Sequence, residues 1–345
     1  MTGDRLEIYA TLGPSCADTE VLRQMFAKGI NGMRLNLSHG TLKDSEEMIG
    51  SFHRAAALEG VSPSLLIDMQ GPELRIGRMR QGCLLNEGSE VQLIPSGIDE
   101  EDSGIPIPGV IFDHFMEGMI FLIDDGKIHL RAEGFALTGG VPRISARVLT
   151  GGPLLSRKSI AVQGMSITGD TLTQQDLWNL SQASGYGVTD VMQPFVRGAD
   201  DLREVRARMD KCGAGSCRLF AKIENTVGIE AVEEIMPHTD MLVIARGDLG
   251  NAIPLWKLPF VQKEISEKCL SHGVPFMVVT QMLASMENMP IPTRAEVSDI
   301  FHAVADGASA VMITGESASG KYPVEASDYL VRTALEGLRW RDRDQ

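Results

Sequence analysis

The sequence predicts an α/β chain: a (β/α)8, or TIM, barrel with a small all-β domain inserted after the third strand. Three observations carry this. Short β-rich runs alternate with helix-length amphipathic stretches, the alternation breaks between about 72 and 164, and it then resumes until eight strands and eight helices are counted.

The first strand is EIYATLG at 7–13, followed by a helical pattern from Thr19 to Lys28. A strand at 32–38 (GMRLNLS), a helix at 41–59 and a strand at 64–71 (SLLIDMQG) continue the rhythm. Beyond it, EVQLIP, MIFLIDDGKIHLRAEG and RISARVL are separated by Gly, Pro and Asp, the punctuation of a β domain. After Gly164 the expected helices are 173–184, 199–211, 226–235, 255–272, 294–304 and about 323–340. The expected strands between them are 188–192, 218–224, 241–246, 275–281 and 309–316. The expected domains are therefore 1–71 and 165–345 for the two parts of the barrel and 72–164 for the insert. About 250 residues outside the insert suit a closed barrel, whereas a doubly wound sheet needs fewer strands and a Gly-rich first turn.

Of the 345 residues 43% are hydrophobic and 23% charged, which excludes disordered, collagenous and coiled-coil classes. No apolar run reaches membrane-span length, and MTGDRLEIYATLG has neither a basic start nor an apolar core, so the expected address is cytoplasmic with no membrane partner. A net charge of −14 argues against sequence-independent binding of nucleic acid, which needs a clustered positive field. The cysteines at 16, 83, 212, 217 and 269 are scattered and odd in number, as expected of reduced thiols.

In a (β/α)8 barrel the chemistry sits where strands end, so those residues are the candidates. Lys222 and Glu224, two apart, share one side of strand 5. Asp248 follows strand 6 in ARGDLG, read as a loop whose glycines let backbone N–H groups approach an anion. Two carboxylates from adjacent strands suit Mg2+ or Mn2+, and an ordinary ion pair of Lys222 with Glu224 or Asp248 is an equal alternative. Strand 2 offers Arg34, Asn36 and Ser38 at alternate positions, with His39 opening the loop. Arg34 has the planar fork that phosphate accepts, while Asn36, Ser38 and Asp68 offer hard oxygens to a second cation. Thr280, Gln281 and Glu316 add polar groups at the same mouth.

With these residues in place, the sequence resembles the pyruvate kinase family. The resemblance is carried by TLGPSC (11–16), GMRLNLSHGT (32–41), IDMQGPELRIG (67–77), IDDGKIHL (123–130), FAKIENTVGIEAVEEI (220–235), VIARGDLGNAIP (243–254) and the long run from Thr280 to Ser317, and it covers essentially the whole chain. It implies phosphoryl transfer between phosphoenolpyruvate and ADP, giving pyruvate and ATP, the glycolytic reaction, with the insert as a mobile lid over the nucleotide. Glu224 and Asp248 would bind the divalent metal, Lys222 would stabilise the phosphoryl group in flight, and Arg34 would bind the transferring phosphate. The backbone at Gly247 and Asp248 would hold the substrate carboxylate, with Thr280 on the face where carbon is protonated. Asn36, Ser38, Asp68 and the Met69 carbonyl would hold a monovalent cation such as K+. His39, Arg75 and Lys158, with Asn36, would approach the nucleotide, and Asp125 would belong to the lid's contribution.

Departures from the family pattern leave three matters open. The family usually continues into a further α/β domain after the eighth helix, so allostery through that domain is not expected, and a homodimer through barrel contacts, or a monomer, is. Met69, Gln70 and Ile76 resemble members that need no potassium, while Glu73 resembles members that do. Ser319 stands where the family often has lysine, with Lys321 two residues on, and GGPLLSRKSIAVQG keeps Arg157 and Lys158 but lacks the usual KGVNLPG-like ending. The changed nucleotide side keeps two alternatives alongside: an enzyme passing phosphate from an enol phosphate to another acceptor, and a non-catalytic protein that binds metal and phosphoenolpyruvate.

Overall fold

A computed structural model describes residues 6–97, 104–124, 126–164 and 170–343. The chain divides into two compact units, Met1–Gly71 with Asp170–Leu249 and Trp256–Gln345, and Pro72–Gly169 with Gly250–Leu255.

The first unit is a closed barrel of eight parallel strands. They are β1 (Glu7–Thr11), β2 (Gly32–Asn36), β3 (Ser64–Asp68), β4 (Asp190–Gln193), β5 (Arg218–Ile223), β6 (Met241–Ala245), β7 (Phe276–Val279) and β8 (Ala310–Met312). Each pairs with its sequence neighbours, and β1 pairs with β8 to close the circle. Covered on both faces, these strands are apolar almost throughout, and every residue of β6 and β7 is buried. Tyr9, Phe220, Met241, Met277 and Met312 belong to one buried cluster, so the barrel is packed rather than open. On β5 the period of two sets Lys222 on the same side as Phe220, one step nearer the strand's C-terminal end.

Helices fall where the periodicity predicts, with local adjustments. The second begins at Glu46 rather than 41, because Asp44 accepts hydrogen bonds from the Thr41 N–H and hydroxyl and holds a turn there. The stretch expected at 226–235 divides into Thr226–Glu230 and Val232–Ile235. Thr173 with Asp176, and Thr293 with Glu296, form reciprocal capping boxes at the starts of Gln174–Gln182 and Arg294–Ala305. No helix among the described residues is long and apolar enough to cross a membrane.

The second unit holds a six-stranded sheet, ordered Ile160–Val162, Ile120–Ile123, Ile128–Thr138, Val141–Thr150, Glu90–Pro95, Ile105–Ile107, and a two-stranded sheet of Cys83–Leu85 with Gly152–Leu154. Its pairs are antiparallel except the last of the larger sheet. Phe121, Leu130, Ile144 and Leu93 anchor its own core. Residues 98–103, which include the acidic sequence DEED at 99–102, lie outside the described residues.

Candidate active site

Arg34, Asp68, Lys222 and Glu224 come together at the C-terminal ends of β2, β3 and β5. Asp68 Oδ2 accepts from Arg34 Nε at 2.9 Å and Nη2 at 2.6 Å, and from Lys222 Nζ at 3.3 Å. Lys222 Nζ also lies 2.8 Å from Glu224 Oε1. The ion pair left open by the sequence is thus present, and it is one edge of a four-residue cluster. Side-chain exposures of 13% for Lys222, 3% for Asp68 and 1% for Glu224 remove these charges from water. Burial works against ionisation of Asp68, but Lys222 and Arg34 outweigh it and hold its carboxyl below the usual range. Burial likewise opposes the Lys222 charge, yet Asp68 and Glu224 raise its pKa above that of an ordinary lysine. Lys222 therefore stays a cation across the physiological range.

The second oxygen of Asp68, Oδ1, is buried without a hydrogen-bond partner. Such an oxygen costs stability unless something fills its lone pairs. Glu224 is better satisfied, its Oε2 accepting from Phe195 N–H at 2.9 Å. Phe195 adopts a left-handed conformation, φ 54°, uncommon for a bulky residue.

Strand ends fall short of their expected positions, and this changes how several candidates are presented. β2 stops at Asn36, and Leu37–His39 is a 3-10 turn in which Asn36 Oδ1 accepts from Ser38 N–H at 3.1 Å. Ser38 is therefore not on the face shared by Arg34 and Asn36. The His39 side chain lies outside the described residues. Gly247 and Asp248 sit in the first turn of a helix, Arg246–Ala252, rather than in a loop. The opening turn of a helix has backbone N–H groups without partners in the helix itself. Gly247 N–H donates to Thr280 Oγ1 at 2.7 Å, and that hydroxyl donates to Val279 O at 2.5 Å. β7 ends at Val279, so Thr280 and Gln281, expected as its last residues, instead form a turn with φ of 71° and 54°.

A family model described as pyruvate kinase, barrel domain, matches residues 4–327. The chain belongs to the pyruvate kinase family. Similar curated proteins named pyruvate kinase come from Sporosarcina psychrophila (34% identical, over 96% of this chain and 56% of that protein), Geobacillus stearothermophilus (36%, over 98% and 58%) and Agrobacterium vitis (38%, over 95% and 67%). The chain thus spans somewhat more than half the length of the first two.

Other groups in this pyruvate kinase family barrel have parts that the sequence did not announce. Asp176, fully buried, accepts from Gln70 N–H at 2.8 Å and Gly71 N–H at 3.0 Å while capping its own helix, and so fixes the segment leaving β3. Met69, in that segment, is buried and donates its N–H to Met192 O at 3.0 Å. The Thr173-x-x-Asp176 spacing was a visible capping signal; its reach to residues about a hundred positions earlier was not. Glu316, expected to add to the mouth, is instead a buried brace: Oε1 accepts from Leu283 N–H at 2.9 Å and Oε2 from Thr314 N–H at 2.7 Å. With both oxygens held by backbone, its carboxylate organises the loops after β7 and β8.

In the second unit Arg75 and Lys158 lie on adjacent segments, Ile76 N–H donating to Lys158 O at 2.9 Å. Arg75 binds Glu73 Oε2 through Nε at 2.9 Å and Nη2 at 2.6 Å, and donates to Arg157 O at 2.9 Å. Lys158 Nζ lies 2.8 Å from Asp124 Oδ1. Asp125 lies outside the described residues.

Proposed function

We propose that the chain transfers a phosphoryl group between phosphoenolpyruvate and ADP, giving pyruvate and ATP. The observation that carries this is the buried Arg34–Asp68–Lys222–Glu224 cluster, in a chain whose curated relatives are named pyruvate kinase.

Arg34, whose Nε and Nη2 hold Asp68, keeps further guanidinium N–H groups on Nη1 and Nη2 for the phosphate. Lys222 is a fixed cation, so it stabilises charge on the phosphoryl group in flight instead of shuttling a proton. The opening turn of the helix at Gly247 and Asp248 would receive the substrate carboxylate beside the Thr280 hydroxyl, which the Gly247 N–H already holds. Thr280 stands on the face where the enol product takes a proton at carbon, and the resulting keto form makes the transfer downhill. Arg75 and Lys158 are cations of the kind that nucleotide phosphates require.

Glu224 and Asp248 would hold Mg2+ or Mn2+, whose charge neutralises the transferring group. The donor set fits in kind: both are carboxylates just past the adjacent strands β5 and β6, hard oxygen donors that such an ion accepts alongside water and substrate oxygens. The partnerless Asp68 Oδ1 is the oxygen that a monovalent cation such as K+ would meet, with Asn36 and the Met69 carbonyl as candidate companions, whereas the 3-10 turn takes Ser38 off that face.

The test is pyruvate formation from phosphoenolpyruvate, ADP and Mg2+, with and without K+, by the wild type and by Lys222→Met. The wild type should turn over and the variant should be slower by about 100-fold or more. Absence of pyruvate from folded wild type under both conditions would overturn the proposal. Consumption of phosphoenolpyruvate only with another acceptor would move the reading to that acceptor, as Ser319 and Lys321 on the nucleotide side suggest.

A further inference from the structure

We propose that Arg246 is a positioning residue that fixes the turn after β7 and through it the Thr280 hydroxyl. The kinetic part of this inference rests on the phosphoenolpyruvate reading; the structural part does not.

Thr280 and Gln281 are consecutive non-glycine residues in the left-handed region, with φ of 71° and 54°. L-residues avoid that region, and such a turn persists only where its surroundings over-determine it. Arg246 supplies the constraint. Its Nη2 donates to the Thr280 carbonyl at 2.8 Å and approaches Met282 Sδ at 2.8 Å. Its Nη1 lies 2.8 Å from Asp299 Oδ1 and 2.7 Å from Oδ2, so the carboxylate pins the guanidinium from the far side. The next residue, Gly247, donates its N–H to the Thr280 hydroxyl at 2.7 Å. Two consecutive residues thus grip both polar ends of Thr280, its carbonyl and its hydroxyl.

Only arginine suits this task. A planar fork can address a carboxylate, a carbonyl and a thioether at fixed angles, whereas a lysine ammonium is a single point on a flexible stem. The Arg246 side chain is 10% exposed and both its terminal nitrogens are spent on protein acceptors, so its effect on a substrate passes through Thr280. A purely structural tie between β6, the turn after β7 and the helix Arg294–Ala305 would make a different prediction: lower melting temperature with unchanged turnover per folded molecule.

The experiment compares the wild-type chain with Arg246→Lys, Arg246→Met and Asp299→Asn. The first readout is the 13C-methyl NMR signals of Thr280 and Met282. Both should shift or broaden in the two Arg246 variants, and less in Asp299→Asn. The second is the kcat and KM split for pyruvate formation. In Arg246→Met, kcat should fall on the order of 100-fold, the loss that follows an ångström-scale misplacement, with a smaller change in the KM for phosphoenolpyruvate. Arg246→Lys should not rescue it. Folded variants with wild-type methyl signals and wild-type kcat would overturn the inference. A wild type that makes no pyruvate would sink the activity reading alone, and the methyl signals would still decide the clasp: shifted signals support it, unchanged ones refute it.

Discussion

At the N-terminal end of the barrel, Arg218 on β5 reaches Glu7 on β1 at 2.7 and 2.9 Å, Asp190 on β4 at 2.6 Å and the Tyr9 hydroxyl at 2.9 Å. Tyr9 in turn donates to Glu7 Oε2 at 2.7 Å, Thr189 donates to Asp190 Oδ2 at 3.0 Å, and the guanidinium lies 4.9 Å from the centre of the Phe220 ring. Every carboxylate oxygen there has a partner. At the C-terminal end two carboxylates share two cations instead of one, yet Asp68 Oδ1 is left with no partner. Backbone strain follows the same division. Among the described residues of the barrel unit, the non-glycine residues with positive φ are Phe195, Thr280 and Gln281, all just past C-terminal strand ends. A saturated network can only hold the barrel together, while an unsaturated one framed by strained turns keeps capacity for a ligand.

Substitutions at the two ends of the barrel should separate catalysis from stability. The largest effect belongs to Lys222→Met, which should cut pyruvate formation by about 100-fold or more while circular dichroism shows a folded protein. Arg218→Met should do the reverse. It leaves Glu7 and the buried Asp190 without their cation, and denaturant titration should show a loss of about 2–3 kcal/mol. This lies below the figure for fully buried pairs because Arg218 is 37% exposed, and turnover per folded molecule should be unchanged. Tyr9→Phe removes one hydroxyl from that saturated network and should cost about 1 kcal/mol by the same titration.

The smallest effect is a pH dependence. Burial opposes ionisation of Glu7, but hydrogen bonds from Arg218 and Tyr9 prevail and its folded pKa lies below the ordinary glutamate value. A depressed carboxyl contributes stability that is full above the unfolded pKa, about 4.3, and is lost as pH falls through the lower folded value. Glu7→Gln should therefore show a flatter acid limb in stability measured below that pH. Parallel acid limbs in variant and wild type would show that Glu7 does not shape the acid limb.

Much of this was legible in the sequence, and what was not has a physical reason. The barrel followed from alternating periodicity, because strands buried on both faces read as apolar runs such as MLVIA and FMVV. Lys222 and Arg34 were legible as charges at the ends of such runs. Where each strand stops was not, since hydrophobic pattern continues past the last ladder hydrogen bond. Ser38 and Thr280 accordingly belong to turns instead of strand faces. The left-handed Phe195 and Thr280 carry no glycine or asparagine signal, because tertiary contacts impose their conformation. Arg246 with Asp299, and Asp176 with Gln70, are partnerships between distant parts of the chain that no local pattern encodes.

The cluster at the C-terminal mouth is proposed as a metal-dependent site for phosphoenolpyruvate. Calorimetric titration of phosphoenolpyruvate into the wild type and Glu224→Gln, each with and without Mg2+, tests it most directly. Binding heat is expected from the wild type with Mg2+ only and should be lost in Glu224→Gln; equal heat from both proteins, or heat from the wild type without Mg2+, would overturn that assignment.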